Sequence, residues 1–476
     1  MHHTNTRSGW WMCRRHGHVR TLCCGGIYGV LFLTANLFPV YGASNGPSQP
    51  VPMVPEHAVD MILGRPTGTS VVLRILSSRD VLAVVSYGVQ RASSSALTGT
   101  VRLSQAQPQE TQLTGLVPDT AYEYRIQEES TGKRLVEGNF HTARPAGGTF
   151  TFTVTADSHL DDNTDPALYQ RTLAAARGDV PDFHIDLGDT FMTGKHASRE
   201  NAAQQYLAQR YYLGQIGQAA PLFLVVGNHD GEESRQLRNG TGSLAVWANG
   251  MRKRYFPNPV PDSFYTGNTV KDPLAGTLQD YYAWQWGDAL FVVLNPYWYA
   301  DDRRADERWE LSLGIVQFNW LKQTLSASKA RFKMVFIHQL VGGNDRQGRG
   351  GAEAAGFGEW GGRNADGTDG FQAHRPGWEQ PIHQLLVSNQ VAIVFHGHDH
   401  LFARQERDGL VYQEVPQPGD PHGNPRAAAE YGYEEGVILG SPGYMRVKVA
   451  PEKLCVEFVR PDGGVAHTYT MGQSRR

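Results

Sequence analysis

The chain has 476 residues, and this length predicts two or three folded domains rather than one. Hydrophobic residues make up 40% of it and charged residues 19%, which is the composition of a soluble globular protein. Residues 1–42 hold four of the 44 basic residues and no acidic one, so the rest of the chain has 40 basic and 47 acidic residues and a net charge near −7. That acidic balance does not resemble the composition of a nucleic-acid-binding protein, and no nucleic-acid-binding surface is evident.

Residues 1–42 have the layout of a secretory signal peptide. Several arginines precede the apolar run LCCGGIYGVLFL and the small-residue exit VYGA. We expect Sec-type export, cleavage after Gly42, and a secreted or periplasmic protein with no stable membrane span. The alternative is an uncleaved N-terminal anchor, but the apolar run is shorter than the ~20 residues that a span needs.

Three of the four cysteines lie in this leader, so the mature chain keeps only Cys455. A single thiol forms no internal disulfide, and we expect stability to come from the core. Cys455 alternates with Leu454 and Val456 in a strand-like run, which predicts a buried small side chain.

Residues 43–55 are rich in proline, serine and glycine and predict a linker. From 56 to 143, short alternating strands separated by turns predict an all-β sandwich. There, LTGLVPDTAYEYRI places Tyr122 shortly after a Leu-x-Pro turn. This resembles the tyrosine corner of fibronectin type III domains. The alternative is a generic strand with a tyrosine at its edge.

ARPAGG (143–148) predicts an inter-domain hinge, and from 149 to 470 strands alternate with helices. The first helix is predicted from its N-cap at Asp165 to Gly178, the next near 198–213, and two more in IVQFNWLKQTL and PIHQLLVSN. A hairpin is predicted to turn at Gly287-Asp288. This alternation indicates an α/β layered domain with buried sheets.

Five predicted strands end in side chains able to bind a metal ion. In chain order these ends are Asp157-x-His159, Gly188-Asp189, Gly227-Asn228-His229-Asp230, His338 and Gly397-His398-Asp399-His400. Ligands of α/β sheets bind beyond the carboxyl ends of the strands, so five such ends predict one shared metal site. Mixed imidazole and oxygen ligands suit Zn, Fe or Mn rather than Ca or Mg.

The order D-x-H, GD, GNH[DE], H and GHxH resembles the calcineurin-like metallophosphoesterases across nearly all of residues 150–450. The resemblance implies an α/β fold of four layers (αββα) and two metal ions. One ion would take Asp157, His159, Asp189 and His400. The other would take Asp189, Asn228, His338 and His398, with Asp189 bridging.

The same resemblance implies a metal-dependent phosphoesterase, and the leader predicts that it is exported. Two ions about 3.5–4 Å apart would activate a shared water for in-line attack on phosphorus. His229 is the expected general acid, with Asp230 holding its other ring nitrogen. The alternative is a secreted binding protein that uses the fold as a scaffold, but such a protein should have lost a ligand or His229, and none is lost.

Neighbouring polar residues are not expected to act in the chemistry. His396 is interpreted as a packed or hydrogen-bonded strand residue and His184 as a core residue. Asp161 and Asp162 are expected to be solvated in a loop. Glycines beside the ligands are expected to allow sharp turns.

The two-domain layout is also similar to purple acid phosphatases, but the sequence departs from them in two places. Met192 stands where their tyrosine ligand would be, and their first motif lacks the histidine found at His159. An acid phosphatase of that subclass is therefore kept only as an alternative.

The substrate is expected to be a small phosphate ester or a nucleotide, with monoester and diester both open. The glycine-rich stretch 341–378 predicts either a substrate-covering lid or a passive excursion. Its arginines, Arg346, Arg349, Arg363 and Arg375, are candidates for binding a second phosphate or carboxylate. DGTDG within it is interpreted as a turn.

Overall fold

The computed structural model describes residues 54–472 except 93–95, 162, 197, 238–239, 301–306 and 344–347. The expected signal peptide and most of the linker lie outside the described residues. Among the helices within these ranges, none combines the length and the apolar character that crossing a membrane requires.

The N-terminal part is built from eight strands in two antiparallel sheets. They are β1 (Val59–Gly64), β2 (Ser70–Ser77), β3 (Val81–Val89), β4 (Ala96–Leu97), β5 (Val101–Leu103), β6 (Gln109–Thr114), β7 (Ala121–Glu128) and β8 (Arg134–His141). One sheet has the order β1-β2-β6 and the other β4-β3-β7-β8, with β5 beside β3. In β7 alternate side chains, Tyr122, Tyr124 and Ile126, enter the core between the sheets. This alternation confirms the predicted β-sandwich.

Tyr122 closes the turn that precedes β7. Its hydroxyl accepts a hydrogen bond of 2.9 Å from the backbone N–H of Val117, and its ring stacks on Phe140 at 5.5 Å. The residue is buried, as expected for a tyrosine corner and not for a tyrosine at a strand edge.

The rest of the chain alternates helices with strands. The helices are α1 (Pro166–Gly178), α2 (Arg199–Gly217), α3 (Leu244–Tyr255), α4 (Gly314–Ala327), α5 (Gly358–Gly361), α6 (Phe371–His374), α7 (Ile382–Ser388) and α8 (Ala427–Glu430). The strands are β9 (Phe150–Thr155), β10 (Phe183–Asp186), β11 (Leu222–Leu224), β12 (Thr266–Gly267), β13 (Lys271–Asp272), β14 (Gly276–Thr277), β15 (Tyr282–Trp286), β16 (Ala289–Val293), β17 (Phe332–Phe336), β18 (Ile393–His396), β19 (Leu401–Arg407), β20 (Leu410–Glu414), β21 (Val437–Gly440), β22 (Tyr444–Ala450), β23 (Lys453–Val459) and β24 (Val465–Gly472).

These elements form the four layers expected. A six-stranded sheet has the order β11-β10-β9-β22-β23-β24, and an eight-stranded sheet has the order β12-β15-β16-β17-β18-β20-β19-β21. An aromatic-rich core that includes Phe152, Phe291 and Phe395 lies between them. Helices α1 and α2 contribute to a core beside the first sheet, and α4 and α7 to a core beside the second. The αββα prediction is confirmed.

Local sequence chemistry accounts for several boundaries. Asp165 caps α1 by accepting the N–H groups of Ala167 and Leu168, with Pro166 as the first helical residue. The hairpin of β15 and β16 turns at Gly287-Asp288. Cys455 differs from its prediction: it is half-buried in β23, with its sulfur 3.8 Å from Thr468 Oγ1.

The segment 143–148, predicted as a hinge, is held by hydrogen bonds on both sides. Arg144 donates to both oxygens of Asp182 at 2.9 Å, and its carbonyl accepts the N–H of Gly287. The β-sandwich also binds α2 directly, because the buried guanidinium of Arg210 donates to the carbonyl oxygens of Asp60 and Arg74. The connection between the two parts is therefore firm rather than hinge-like.

Candidate metal centre

The topology brings the five polar strand ends to one edge of the paired sheets. Strands β9, β10 and β11 run parallel in the first sheet, and β16, β17 and β18 run parallel in the second. Asp157, Asp189 and Asn228 follow the first three, and His338 and His398 follow β17 and β18. The carboxyl ends of parallel strands share an edge, so side chains distant in sequence meet there.

One ligand group consists of Asp157, His159 and His400, whose nearest ligand atoms lie within 4.8 Å of one another. Nε2 of His159 and Nε2 of His400 each lie 3.6 Å from Asp157 Oδ1. Asp189 Oδ2 lies 3.5 Å from the same His159 nitrogen. These are the four residues that the resemblance implies for one ion.

A second group consists of Asp189, His338 and His398, again within 4.8 Å. Asn228 Oδ1 lies 3.0 Å from His338 Nε2 and 2.9 Å from His398 Nδ1. Asp189 Oδ2 lies 3.4 Å from His338 Nε2. Asp189 Oδ2 thus lies within 3.5 Å of a histidine nitrogen in each of the two groups.

Unpaired buried atoms fit the presence of metal ions. Asp157 Oδ1 and His159 Nε2 are buried and have no hydrogen-bond partner among the described residues. Ligand atoms around an ion with bonds near 2.1 Å lie roughly 3–3.5 Å apart, close to the separations above. The donor set of imidazole nitrogens and carboxylate oxygens fits Zn, Fe or Mn.

The acids and imidazoles of the centre shift one another's protonation. Burial alone would lower the pKa of His338, but the carboxylates of Asp189 and Asp157 raise this pKa to about 9. Burial alone would raise the pKa of Asp157, but His338 and His159 lower this pKa to about 2. Nδ1 of His338 donates to the Leu187 carbonyl oxygen at 2.9 Å, which leaves Nε2 directed to the ligand group.

Five of the candidate ligands have a left-handed backbone, which non-glycine residues seldom adopt. Their φ angles are 55° at Asp157, 33° at His159, 52° at Asp189, 84° at His398 and 59° at His400. Such strain clusters at functional sites and persists where the surroundings enforce it. This feature of the ligands was not predicted from the sequence.

The glycines beside the candidate ligands, Gly188, Gly227 and Gly397, allow neighbouring backbone and side-chain atoms to pack closely as well as allowing the chain to turn. A Cβ at Gly227 would lie 2.1 Å from the Asp189 nitrogen, and one at Gly397 would lie 2.6 Å from Asp157 Oδ2. Gly188 is the one of the three with positive φ, at 96°. Gly227 and Gly397 are therefore needed because a ligand residue packs against the backbone.

The expected pairing of Asp230 with the His229 ring is wrong. Both Asp230 oxygens accept backbone N–H groups, from Thr190 and Phe191 at Oδ1 and from Asp189 and Gly227 at Oδ2. The His229 ring instead has its Nε2 3.9 Å from Asp189 Oδ2, and its side chain is 32% exposed. Burial lowers the pKa of His229 to about 4.

The expectation of a solvated Asp161 is also wrong. Asp161 is buried, and its Oδ2 lies 3.4 Å from Nδ1 of the candidate ligand His159. A spacing of two residues from a ligand histidine was the available sequence signal. Asp162 lies outside the described residues.

The two other histidines behave as interpreted. His184 is buried in β10 between the hydroxyls of Thr153 and Thr155, at 2.8 and 3.0 Å. His396 is buried, with its Nδ1 2.5 Å from Glu414 Oε2. Burial lowers the pKa of each imidazole to about 3.

Within the glycine-rich stretch 341–378, residues 351–362 are packed into the fold. Ala354, Ala355 and Trp360 belong to the core beside the eight-stranded sheet. The N–H of Gly350 donates to Oδ2 of Asp399 at 2.8 Å, and Asp399 stands in the sequence between the candidate ligands His398 and His400. Asp366 accepts the N–H of Thr368, which confirms the turn in DGTDG.

Arg375 is not available to a substrate, contrary to expectation. It is buried and donates to Glu359 and to the carbonyl oxygens of Trp309 and Leu311. Arg349 lies over the ring of Tyr431 at 4.3 Å, Arg363 is exposed, and Arg346 lies outside the described residues.

Comparisons with known proteins agree with this geometry. A family profile described as calcineurin-like phosphoesterase matches residues 150–402. The fold is similar to that of PhoD, with a TM-score of 0.63 and 15% identity over 89% of this chain and 92% of that one. It is also similar to the purple acid phosphatase PPD1 from yellow lupin seeds, with a TM-score of 0.60 and 15% identity over 87% of this chain and 74% of that one. No curated protein sequence matches the chain.

Proposed function

This chain belongs to the calcineurin-like phosphoesterase family, and we propose that it hydrolyses phosphate esters at a centre of two transition-metal ions. One observation carries the proposal: the carboxylate of Asp189 is shared by two ligand groups, 3.5 Å from His159 Nε2 and 3.4 Å from His338 Nε2. Bound Mn, Zn or Fe ions would supply an acidified water and positive charge for the phosphoryl oxygens.

The protein's own residues would divide this work. Asp157, His159 and His400 would hold one ion, Asn228, His338 and His398 the other, and Asp189 would bridge them. A bridging carboxylate offsets the repulsion between two cations. Ion binding would also displace the proton that the carboxylates favour on His338.

His229 is the proposed proton donor to the leaving oxygen. It follows the candidate ligand Asn228, yet its ring belongs to neither ligand group and is partly exposed. Burial lowers the pKa of its imidazole to about 4. A phosphate anion bound beside the ring would favour the charged, proton-donating form.

The proposed substrate is a small phosphate ester or a nucleotide, either a monoester or a diester. Export with cleavage after Gly42 is proposed from the basic and apolar pattern of residues 1–42. A fibronectin type III assignment for residues 56–143 is likewise proposed, supported by the bond between Tyr122 and Val117.

A turnover screen of the mature chain tests the function. The protein is reconstituted with Mn, Zn or Fe and assayed against alkyl and aryl phosphate monoesters and diesters. We expect turnover that His338→Ala abolishes. His383→Ala is the matched control, because His383 is bound to Tyr412 and Asp408 away from the centre. No turnover with any ion, or equal loss in both variants, would contradict the proposal.

A further inference from the structure

Asp189 and the turn that carries Asn228 are joined by a set of reciprocal hydrogen bonds. The N–H of Asp189 donates to Asp230 Oδ2 at 3.2 Å, and the N–H of His229 donates to Asp189 Oδ1 at 2.7 Å. Each aspartate thus accepts a backbone N–H from the other's turn. We call this arrangement, which comprises residues 189–191 and 227–230, the aspartate clasp.

Asp230 supplies most of the clasp. Its Oδ1 accepts the N–H groups of Thr190 and Phe191 at 2.9 and 2.8 Å, and its Oδ2 also accepts that of Gly227 at 2.7 Å. The carboxylate is 1% exposed, so water does not compete for these donors. Two oxygens with four N–H donors match the acceptor capacity of an ionised carboxylate.

The clasp lies where the ligand backbone is strained. Asp189 adopts φ of 52°, and the Gly227 backbone lies so close to it that a Cβ would overlap the Asp189 nitrogen. A strained conformation persists only when neighbouring contacts impose it. The bonds from Asp230 to Asp189, Thr190 and Phe191 are such contacts.

We propose that Asp230 is a positioning residue that fixes the bridging carboxylate of Asp189 relative to Asn228, and that the ion held by Asn228, His338 and His398 depends on it. The inference rests on the proposed two-ion centre. The other ion shares Asp189, but its remaining ligands, Asp157, His159 and His400, follow β9 and β18 and have no described bond to Asp230. Loss of the clasp should therefore weaken one ion far more than the other.

Asp230→Asn tests the proposal, with ion affinities as the readout. Whichever way the amide turns, two of the four N–H groups lose their acceptor and face another N–H. We expect the affinity for the ion held by Asp157, His159 and His400 to change little. The affinity for the ion held by Asn228, His338 and His398 should fall about 10–100-fold, the range for residues that orient ligands. Asp280→Asn is the matched control. The buried carboxylate of Asp280 accepts hydrogen bonds from the side-chain amides of Asn268 and Asn295 and none from the turns that carry Asp189 and Asn228. This variant should retain both affinities.

A comparison of alkyl and nitrophenyl esters distinguishes the positioning role of Asp230 from the role predicted from the sequence, which is to hold the ring of the general acid His229. A positioning residue should lower kcat alike on alkyl and nitrophenyl esters, and added metal should restore part of the loss. A variant that binds both ions as the wild type does, or that loses activity mainly on alkyl esters, would overturn the proposal.

Amide hydrogen exchange on the wild-type protein, stripped of metal, tests the clasp without a variant or a substrate. The N–H groups of Asp189, Thr190, Phe191 and Gly227 should exchange as slowly as those of β10. Rapid exchange of these four beside a protected β10 would overturn the clasp. If these four N–H groups exchange slowly but the protein binds no ions after reconstitution, the aspartate clasp is supported and the proposed function is contradicted.

Discussion

Nε2 of His338 lies 3.4 Å from Oδ2 of Asp189, although the two residues follow strands of different sheets. Asp189 follows β10 of the six-stranded sheet, and His338 follows β17 of the eight-stranded sheet. The centre is therefore formed by residues from both sheets, and the two sheets must pack in the correct relative position for it to form. Because its carboxylate reaches both ligand groups, Asp189 is the residue on which the two proposed ions would most depend.

The purified mature protein should carry about two transition-metal ions per chain, and Asp189→Ala should remove most of both. The physical reason is that loss of the shared carboxylate takes a ligand from each ion and leaves their repulsion unbalanced. Elemental analysis after reconstitution measures the effect. A wild type with one ion or none, or an Asp189→Ala protein with two, would rule out the bridged centre.

Asp161→Asn should weaken one ion selectively. Asp161 Oδ2 lies 3.4 Å from Nδ1 of His159, and a carboxylate in this position orients the ring and increases its basicity. We expect the ion held by His159 to bind about 10–100-fold more weakly, as measured by competition with a chelator. Asp182→Asn, which removes a buried carboxylate bound to Arg144 instead, is the control. Equal affinities in the two variants would contradict the role of Asp161.

An iron-loaded protein should lack the strong visible charge-transfer band of a tyrosinate ligand. Met192, where that ligand would be expected, is buried and adopts φ of 49°, and a thioether offers no phenolate oxygen. Absorption spectra of the iron form measure this. An intense purple colour would show that a tyrosine elsewhere binds the metal.

The juxtaposition of the candidate ligands can be predicted from the sequence because each side chain that could bind a metal ion follows a strand. Asp157, His338 and His398 each follow an apolar run, and the edge where parallel strands end brings them together. Strand order was not predictable: β22 and β23, more than 250 residues after β9, complete the first sheet through pairings that no local pattern encodes.

The errors concern residues whose partners are backbone groups or distant segments. Asp230 is predicted to bind the ring of the adjacent His229, but its carboxylate instead accepts the backbone N–H groups of Thr190 and Phe191, about 40 residues upstream. The sequence makes Arg375 a candidate for binding a second phosphate or carboxylate, but Glu359 and two carbonyl oxygens hold it. A side chain's charge is visible in a sequence, whereas the donors and acceptors that surround it depend on tertiary packing.

Arg210→Ala should destabilise the protein without removing metal. The buried guanidinium donates to three carbonyl oxygens, those of Asp60, Arg74 and Tyr255, and so ties α2 to the β-sandwich. Hydrogen bonds to a charged group contribute about 1.5–3 kcal/mol each, but bonds that share one side chain do not add. We therefore expect the free energy of unfolding to fall by roughly 2–5 kcal/mol, the range of large single-residue effects.

Denaturant unfolding with parallel metal analysis checks this expectation. Arg134→Ala is the matched control, because Arg134 is exposed and paired with Glu137 at the surface, and its loss should cost less than about 1 kcal/mol. A fragment of residues 149–476 keeps every candidate ligand but loses the acceptors on Asp60 and Arg74, so it should resemble Arg210→Ala. Unchanged stability of Arg210→Ala would contradict a firm connection between the two parts.

His229→Ala should separate proton donation from metal binding. An alkoxide is a poor leaving group and needs a proton, whereas a nitrophenolate leaves without one. Positioned acids usually contribute about 10²–10⁴-fold, or roughly 3–5 kcal/mol of barrier. We therefore expect His229→Ala to keep both ions, to lose activity on alkyl phosphate esters by about that factor, and to lose clearly less on nitrophenyl esters.

His398→Ala is the matched control for His229→Ala, because its Nδ1 lies 2.9 Å from Asn228 Oδ1 inside a ligand group. It should lose metal, and activity on both kinds of ester alike. The Nε2 of His229 lies 3.9 Å from Asp189 Oδ2, and the ring belongs to neither ligand group, so its loss should leave both ions bound. Equal losses on alkyl and nitrophenyl esters in His229→Ala, with both ions retained, would show that this imidazole stabilises charge on the phosphoryl group and does not donate a proton.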